Sequence, residues 1–553
     1  MNKKIVSIAL MISAAPPSPD VAATTSGMHR FWRCRSFAIA VLLLATLSTF
    51  VFAAQGDLDP TFGQGGRVMT NITVPGYQYF YPVTESMLVQ PDGKILVCGR
   101  FWEDGLSFWY GTYIVRYLPD GTLDTSFGTN GKVAVIGPGV PFGNQSAGAE
   151  MALQPDGMIV LIGMYNGYGE GIVIHRYTSS GMLDSTFGTN GSTLVSGIEF
   201  ERGTSIALQP DGRIVGVGWD FNPYTTPYYS AILVFRLNTN GTLDGSFGSA
   251  GTGVVLIANG YDGAEVLAQP DGKILVVGSE GTNILLARYT SNGSLDPSFG
   301  TGGSVTQRIN NINFSGAALQ PDGKTVVIGS AYSNGQLGST LFVRYNANGS
   351  PDTSFGTTGV SSVESDFLKE PNTVLFQSDG KIIAIGNAAD NATGRNGFAI
   401  VRLTSNGSPD SSFGIGGRSV FPINAGGTNY AYSSDGVMQT DGKILVAGYF
   451  RNYYTDSHER IALIRVIATP GVTVSGRVTT PGGQGLRNAV VMIADSLGTR
   501  RLATTSSFGF YTFESVSLGE SYTISVSSRR YRFSARVTQV NGDLANVDFI
   551  GLE

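Results

Sequence analysis

The chain has 553 residues and a formal net charge of −5; 42% of its residues are hydrophobic, only 14% are charged, and 75 are glycine. That length holds several domains. The apolar content excludes a disordered chain, while few charges and about twice the ordinary glycine usage exclude long solvent-exposed helices and indicate an all-β protein rich in tight turns.

The N-terminus has the features of an export leader. Arg30, Arg33 and Arg35 precede an apolar run from Phe37 to Phe52, and Val51-Phe52-Ala53 places small residues where a signal peptidase reads. The run is shorter than the roughly 20 residues of a membrane span, so a cleaved signal is expected, with an uncleaved anchor as the alternative. Residues 1–54 are therefore read as a leader. Met28 is a candidate start, although the upstream piece has its own Lys3-Lys4 and a short apolar run. After cleavage no membrane span is expected. Removing the leader's five basic and one acidic residues from totals of 36 and 41 leaves a net charge of −9. That balance lacks the basic footprint of a nucleic-acid partner. One cysteine remains, Cys98, in the apolar run Ile95-Leu96-Val97-Cys98. It allows no internal disulfide and reads as a buried thiol.

From residue 57 onward the chain repeats itself. Leu319-Gln320-Pro321-Asp322-Gly323-Lys324 returns with drift, its glutamine recurring as Gln90, Gln154, Gln209, Gln269, Gln320, Gln377 and Gln439. Each precedes a turn aspartate: Asp92, Asp156, Asp211, Asp271, Asp322, Asp379 and Asp441. Successive glutamines lie 51–64 residues apart, a period that marks a repeat architecture. Each unit holds four short apolar segments separated by Asp-Gly or Asn-Gly turns, which are strand and hairpin signals. The third segment ends in an arginine: Arg116, Arg176, Arg236, Arg288, Arg344, Arg402 and Arg465. After the first six of these comes an aspartate and, three residues on, a phenylalanine, from Asp124 and Phe127 to Asp410 and Phe413. Residues that recur in every unit serve every unit, so these are expected to be structural: an ion pair or turn cap, with the phenylalanine filling the gap between neighbours.

The register is displaced. Leu58-Asp59-Pro60-Thr61-Phe62-Gly63 and Arg67-Val68-Met69-Thr70 form the end of a unit at the start of the mature chain, and the last unit lacks that end. A closed ring in which the N-terminal strand completes the final blade resolves both irregularities and protects sheet edges. The expected fold is all-β: a seven-bladed β-propeller over 55–468.

Leu-Gln-Pro-Asp-Gly-Lys, then Ala-Arg-Tyr, then Gly-Ser-Leu-Asp-Pro-Ser-Phe-Gly resembles the bacterial delta-60 repeat, a β-propeller family. The fourth unit carries it most cleanly, in Gln269 to Lys273, Ala287-Arg288-Tyr289 and Gly293 to Gly300. Ser378 and Thr440 depart from it by replacing proline. The resemblance implies the fold and a bacterial source, and no particular activity.

Composition changes after Pro470. Short apolar runs at Ala489 to Ala494, Gly509 to Phe513, Tyr522 to Val526 and Val547 to Ile550 indicate a small β-sandwich over 471–553. Ser475-Gly476-Arg477-Val478 and Gly509-Phe510-Tyr511-Thr512-Phe513 resemble the carboxypeptidase regulatory-like family, which implies a transthyretin-like accessory module.

Signals for chemistry are sparse. His175 lies in an apolar strand and reads as packed; His458 reads as a loop residue with no metal-ligand partner near it in sequence. No nucleophile elbow or phosphate-binding loop appears. No metal site and no cofactor are expected, and no pattern singles out a carboxylate pair. The units differ most in their second-to-third loops and blade links, which share one face. There the aromatic candidates are Trp102, Trp109, Tyr110, Trp219, Tyr224, Tyr228, Tyr229, Tyr453 and Tyr454. Aromatic rings beside Asn and Asp suit sugar rings, and equally a protein hot spot; self-packing of the loops is the plain alternative. The reading is a secreted or cell-surface bacterial binding or adhesion protein, expected to be a monomer, whose partner is a polysaccharide or a cell-surface protein. Its rivals are a purely structural surface protein and a polysaccharide-active enzyme with acids in the propeller funnel.

Overall fold

Short β-rich runs closed by Asp-Gly turns fold into antiparallel hairpins. In the turn after Gln90, the Asp92 side chain accepts the Lys94 amide at 3.2 Å, and Gly93 takes the positive φ of 81° that a residue with a Cβ resists. The computed structural model describes residues 54–552 apart from 73–79, 104–109, 136–145, 166–170, 196–200, 223–228, 249–250, 259–260, 281–282, 310–311, 334–335, 365–367, 391–394, 424–428, 453–455, 469–471, 495–499, 517–520 and 541–543. No helix occurs among the described residues, so none there is long and apolar enough to cross a membrane.

Seven four-stranded antiparallel sheets follow one another along residues 67–467. Blade 5 is typical: Ile312–Leu319 is innermost, then Thr325–Ser333, Gln336–Tyr345 and Val360–Glu364 at the rim. The middle strands are almost continuously apolar, as in Ile274–Glu280 and Asn283–Tyr289 of blade 4, because neighbouring blades cover both faces. The apolar clusters accordingly span blade boundaries; one joins Val97 and Val115 of blade 1 to Leu445 and Leu463 of blade 7.

Blade 7 is built from both ends of the ring. The N-terminal strand Arg67–Thr70 pairs antiparallel with Asp456–Ile467, in the register Arg67 to Ile464 and Thr70 to Ile461. It supplies the missing rim strand, as the displaced register requires. Bonds then run from blade 7 to blade 1, including Thr84 Oγ1 donating to the Gly448 carbonyl at 3.0 Å.

The C-terminal part forms two sheets. One orders Phe510–Val516, Val472–Thr479 and Phe549–Ile550; the other orders Arg500–Thr504, Val490–Ala494, Ser521–Ser527 and Arg536–Gln539. Their facing side chains, among them Val474, Val491, Phe513 and Ile524, make a sandwich core.

Candidate functional site

The repeated arginines and aspartates meet on the turn face. Arg116 Nε donates to Asp124 at 2.8 Å, and the Arg236, Arg288 and Arg344 pairs repeat that distance. Arg402 and Asp410 approach equally closely, without hydrogen-bond alignment. Each guanidinium lies 4.4–4.8 Å over the phenylalanine of its own turn. Its other edge reaches a carbonyl of the next blade, as in Arg176 to Thr239, Arg288 to Ala347 and Arg344 to Ser405, all at 2.6 Å. The turn aspartates Asp92, Asp156, Asp211, Asp271, Asp322, Asp379 and Asp441 each accept the amide two residues on. Every residue of this array has an intramolecular partner.

The opposite half of the ring contains a funnel of about 890 Å³. Its wall comes from the beginnings of the innermost strands and the ends of the second strands, so it lies on the side of the variable loops. All seven innermost strands break register at the same depth. Such bulges turn a side chain out of the ladder. The first residues paired after the break are Ser86, Glu150, Ser205, Glu265, Gly316, Thr373 and Asp435. The three acids bridge blades that share no backbone ladder. Glu150 accepts the Ile206 amide at 2.7 Å, Glu265 the Ala317 amide at 2.5 Å, and Asp435 the Met87 amide at 2.9 Å and the Thr373 hydroxyl at 3.0 Å. The acids are half-buried and line the funnel. Burial pushes Glu150 up to about 7, burial and then the charge of Glu150 push Glu265 up to about 8, and burial pushes Asp435 up to about 6.

Above this ring the wall turns aromatic and amide-rich. Trp219 is held by its indole N–H, which donates to Ser230 Oγ at 2.9 Å. Tyr432 and Tyr449 stack with ring centroids 5.4 Å apart. Asn372 donates to the Ser433 carbonyl at 2.7 Å, and Asn387 receives the Ser433 amide at 2.7 Å. Glu370 adopts φ of 46°, uncommon outside glycine, and accepts from Asn387 at 3.2 Å.

Among the aromatic candidates, Trp219 is the one whose described side chain lines the funnel. It lies in the strand Ile214–Asn222; Trp102, Tyr110 and Tyr229 likewise belong to Ile95–Glu103, Tyr110–Tyr117 and Tyr229–Leu237. Their placement in loops is corrected: the hairpins continue pairing beyond their apolar cores. For Trp102, Tyr110 and Tyr229 only the backbone is described, and Trp109, Tyr224, Tyr228, Tyr453 and Tyr454 lie outside the described residues. His458 is also a strand residue, within Asp456–Ile467. His175 is buried with Nδ1 2.7 Å from Ser192 Oγ, and burial lowers it to about 4, so it stays neutral at physiological pH. Cys98 is buried and its thiol is pushed up by burial.

Sequence reasoning missed the acid ring, although a signal was present. The seven ring residues each stand four positions before the repeated glutamine: Ser, Glu, Ser, Glu, Gly, Thr and Asp in chain order. Among the described residues no group of His, Cys, Asp and Glu is arranged to hold a metal.

Seven sheets around a funnel, closed by an N-terminal strand, define a seven-bladed β-propeller. The chain belongs to the β-propeller family described as a domain of unknown function (DUF5122), matched at 90–127, 154–187, 209–247, 269–299, 320–355, 377–413 and 439–466; the carboxypeptidase regulatory-like domain matches 473–550. No curated protein matches in sequence. Solved structures similar to it include the propeller domain of the Trilobed protease from Pyrococcus furiosus, with 9% identity over 71% of this chain and 98% of that one and a TM-score of 0.38. A protein of unknown function from Bacteroides caccae has 11% identity over 58% and 98%, with a TM-score of 0.31. An endo-arabinase from Bacteroides thetaiotaomicron has 11% identity over 72% and 98%, with a TM-score of 0.26.

Proposed function

We propose that the protein is an exported, cell-surface or secreted binding propeller that takes a hydroxyl-rich ligand, a carbohydrate, into its central funnel. The observation that carries this reading is the convergence of Trp219, the Tyr432–Tyr449 stack and the amides of Asn313, Asn372 and Asn387 on one cavity. Indole and phenol faces cover the apolar C–H faces of a sugar, and amides exchange hydrogen bonds with its hydroxyls. The volume admits a short saccharide. The C-terminal sandwich is read as an accessory module, and the variable loops around the funnel as the determinants of fit.

A glycan array probed with residues 55–553 and with Trp219→Ala tests the reading. Binding by the wild type that the variant loses by about 10-fold or more supports it, a loss typical of a buried aromatic anchor. Equal binding by both removes the funnel from the account.

A second reading, hydrolysis of a polysaccharide, is favoured by the raised values of Glu150 and Glu265, since a general acid works best near the ambient pH. Release of reducing ends, abolished in Glu265→Gln, would decide for it.

A further inference from the structure

The funnel differs from the rest of the propeller in its charge. On the turn face every clamp aspartate has a cation, as Asp296 has both Arg288 and Lys273. Among the described funnel-lining residues, the charged side chains are Glu85, Glu150, Glu265, Glu370 and Asp435, with no lysine, arginine or histidine. Arg100 reaches Glu85 at 3.4 Å, and no described cation pairs with the other four. Acids brought together without counterions are costly to ionise, and a fold that keeps them in a cavity leaves room for a cation from outside.

The hydrogen bonding of the floor has the same polarity. Thr373 donates its hydroxyl to Asp435, and the hydroxyls of Ser86 and Ser205 bond to Asp435 and Glu150. The protons of these hydroxyls are thus engaged with carboxylates. Asn372 directs both described donations of its amide nitrogen to Ser433, away from the lumen of the acid ring. Once ionised, the floor offers acceptors, and an ammonium group is the complementary species: three donors, no acceptor and a positive charge. Trp219 and the stacked tyrosines above it suit either a sugar face or a cation.

We infer that the ligand of the funnel is a saccharide bearing a protonated amine, with the ammonium group seated at the ring of Glu150, Glu265 and Asp435. This rests on the carbohydrate reading above and adds the charge of the ligand. Anionic polysaccharides are disfavoured by the same ring. A cation among these acids favours their ionised form, so binding releases protons. The groups facing Glu265 in that linkage are Glu150 and Asp435, with Glu85 (paired to Arg100) and Glu370 on the same wall.

The test uses residues 55–553 in calorimetric titrations at pH 6, where a sugar amine is charged. Three hexasaccharides serve as probes: β-1,4-linked glucosamine, its N-acetylated form, and β-1,4-linked glucose. The glucosamine hexamer should bind about 10-fold or more tighter than the other two, a factor worth about 1.4 kcal/mol. In two buffers of different ionisation enthalpy it should release protons. The Glu150→Gln, Glu265→Gln double variant keeps an acceptor oxygen toward Ile206 and Ala317; if its melting is intact, it should lose the preference and the proton release while still binding the glucose hexamer. Equal or tighter binding of the acetylated or glucose hexamer, abolished by Trp219→Ala, overturns the charge inference and leaves the funnel reading standing. Binding by none of the three overturns both.

Discussion

Arg465 and Asp59 stand 406 residues apart and make the same 2.8 Å bond that joins Arg344 to Asp352 across eight. Phe62 lies under Arg465 with the guanidinium 4.7 Å from its ring centroid, as Phe355 lies under Arg344 at 4.4 Å. The seventh clamp is thus assembled from both ends of the propeller. The nearby turn is rebuilt in the same way: Gly414 donates to the Gln55 carbonyl at 3.0 Å where Gly356 donates to the Asn406 carbonyl at 2.8 Å. The ring is closed by the same chemistry that joins its internal blades.

Removing Asp59 should therefore open the ring. Asp59→Ala leaves a buried guanidinium without its carboxylate, a loss of about 3–5 kcal/mol for a buried pair. Asp352→Ala should cost a similar amount but leave the N-terminus docked. Limited proteolysis at 54–70 separates the two: Asp59→Ala should be cut rapidly there and Asp352→Ala should not. Equal protection would mean that the strand pairing of Arg67–Thr70 alone holds the closure.

Blade 2 lacks one part of the clamp. A lysine or arginine after the Asp-Gly turn adds a second cation to the clamp aspartate, as Lys324 does to Asp352 at 3.0 Å and Lys273 to Asp296 at 3.1 Å. Blade 2 has Met158 there, and Asp184 has Arg176 as its described cation. Met158→Lys should stabilise the propeller by up to about 1 kcal/mol, the range of half-exposed pairs. The gain, read as a rise in denaturant midpoint, should disappear in the Asp184→Asn background.

Stability should fall on both sides of mildly acidic pH. Burial alone would raise Asp59, but the charges of Arg465 and Lys443 and the hydrogen bonds from Thr61 outweigh it and hold it below the ordinary range. Such a group contributes fully above about pH 4, and its contribution is lost as pH falls through the depressed value. Glu150, Glu265 and Asp435 have the opposite sign. Their raised values favour the folded state fully below about pH 4, and that advantage is lost as pH rises toward 8. Thermal melting from pH 3 to 9 should show a maximum near pH 4–6, and Glu265→Gln should flatten the alkaline limb. An unchanged alkaline limb in that variant would contradict the assignment of Glu265.

The inter-blade phenylalanines should be intolerant of truncation. Phe187 is fully buried, and a Cβ added at Gly241 of the next blade would come within 2.8 Å of its ring. Phe187→Ala should cost about 3–5 kcal/mol as a core cavity. Gly241→Ala should also destabilise, because Gly241 has φ of 87° and no space for a methyl group. Denaturant unfolding of both variants measures these losses; a neutral Gly241→Ala would contradict the close packing.

The sequence made the architecture readable because the signals that specify it repeat. Gln320, Asp322, Arg344, Asp352 and Phe355 recur in register, and the displaced Asp59 and Phe62 require closure. The funnel was harder to read because function lies where repeats differ, and a difference has no internal copy to confirm it. Glu150 and Glu265 sit inside apolar segments as isolated acids, and only alignment on the glutamine four residues later brings them into line with Asp435. Trp219 stood out by its residue type, but its position on the funnel depends on strands pairing beyond the apolar core, through contacts such as Trp219 opposite Ile232, which local pattern does not specify.

Trp219 reports directly on whether ligand enters the funnel. Residues 55–553 contain three tryptophans, Trp102, Trp109 and Trp219. A Trp102→Phe, Trp109→Phe variant leaves Trp219 as the only indole, and its emission should shift and saturate as the saccharide that binds in the array is added, with the same midpoint as calorimetry. Saturable binding in the calorimeter with no change in Trp219 emission would place the ligand outside the funnel.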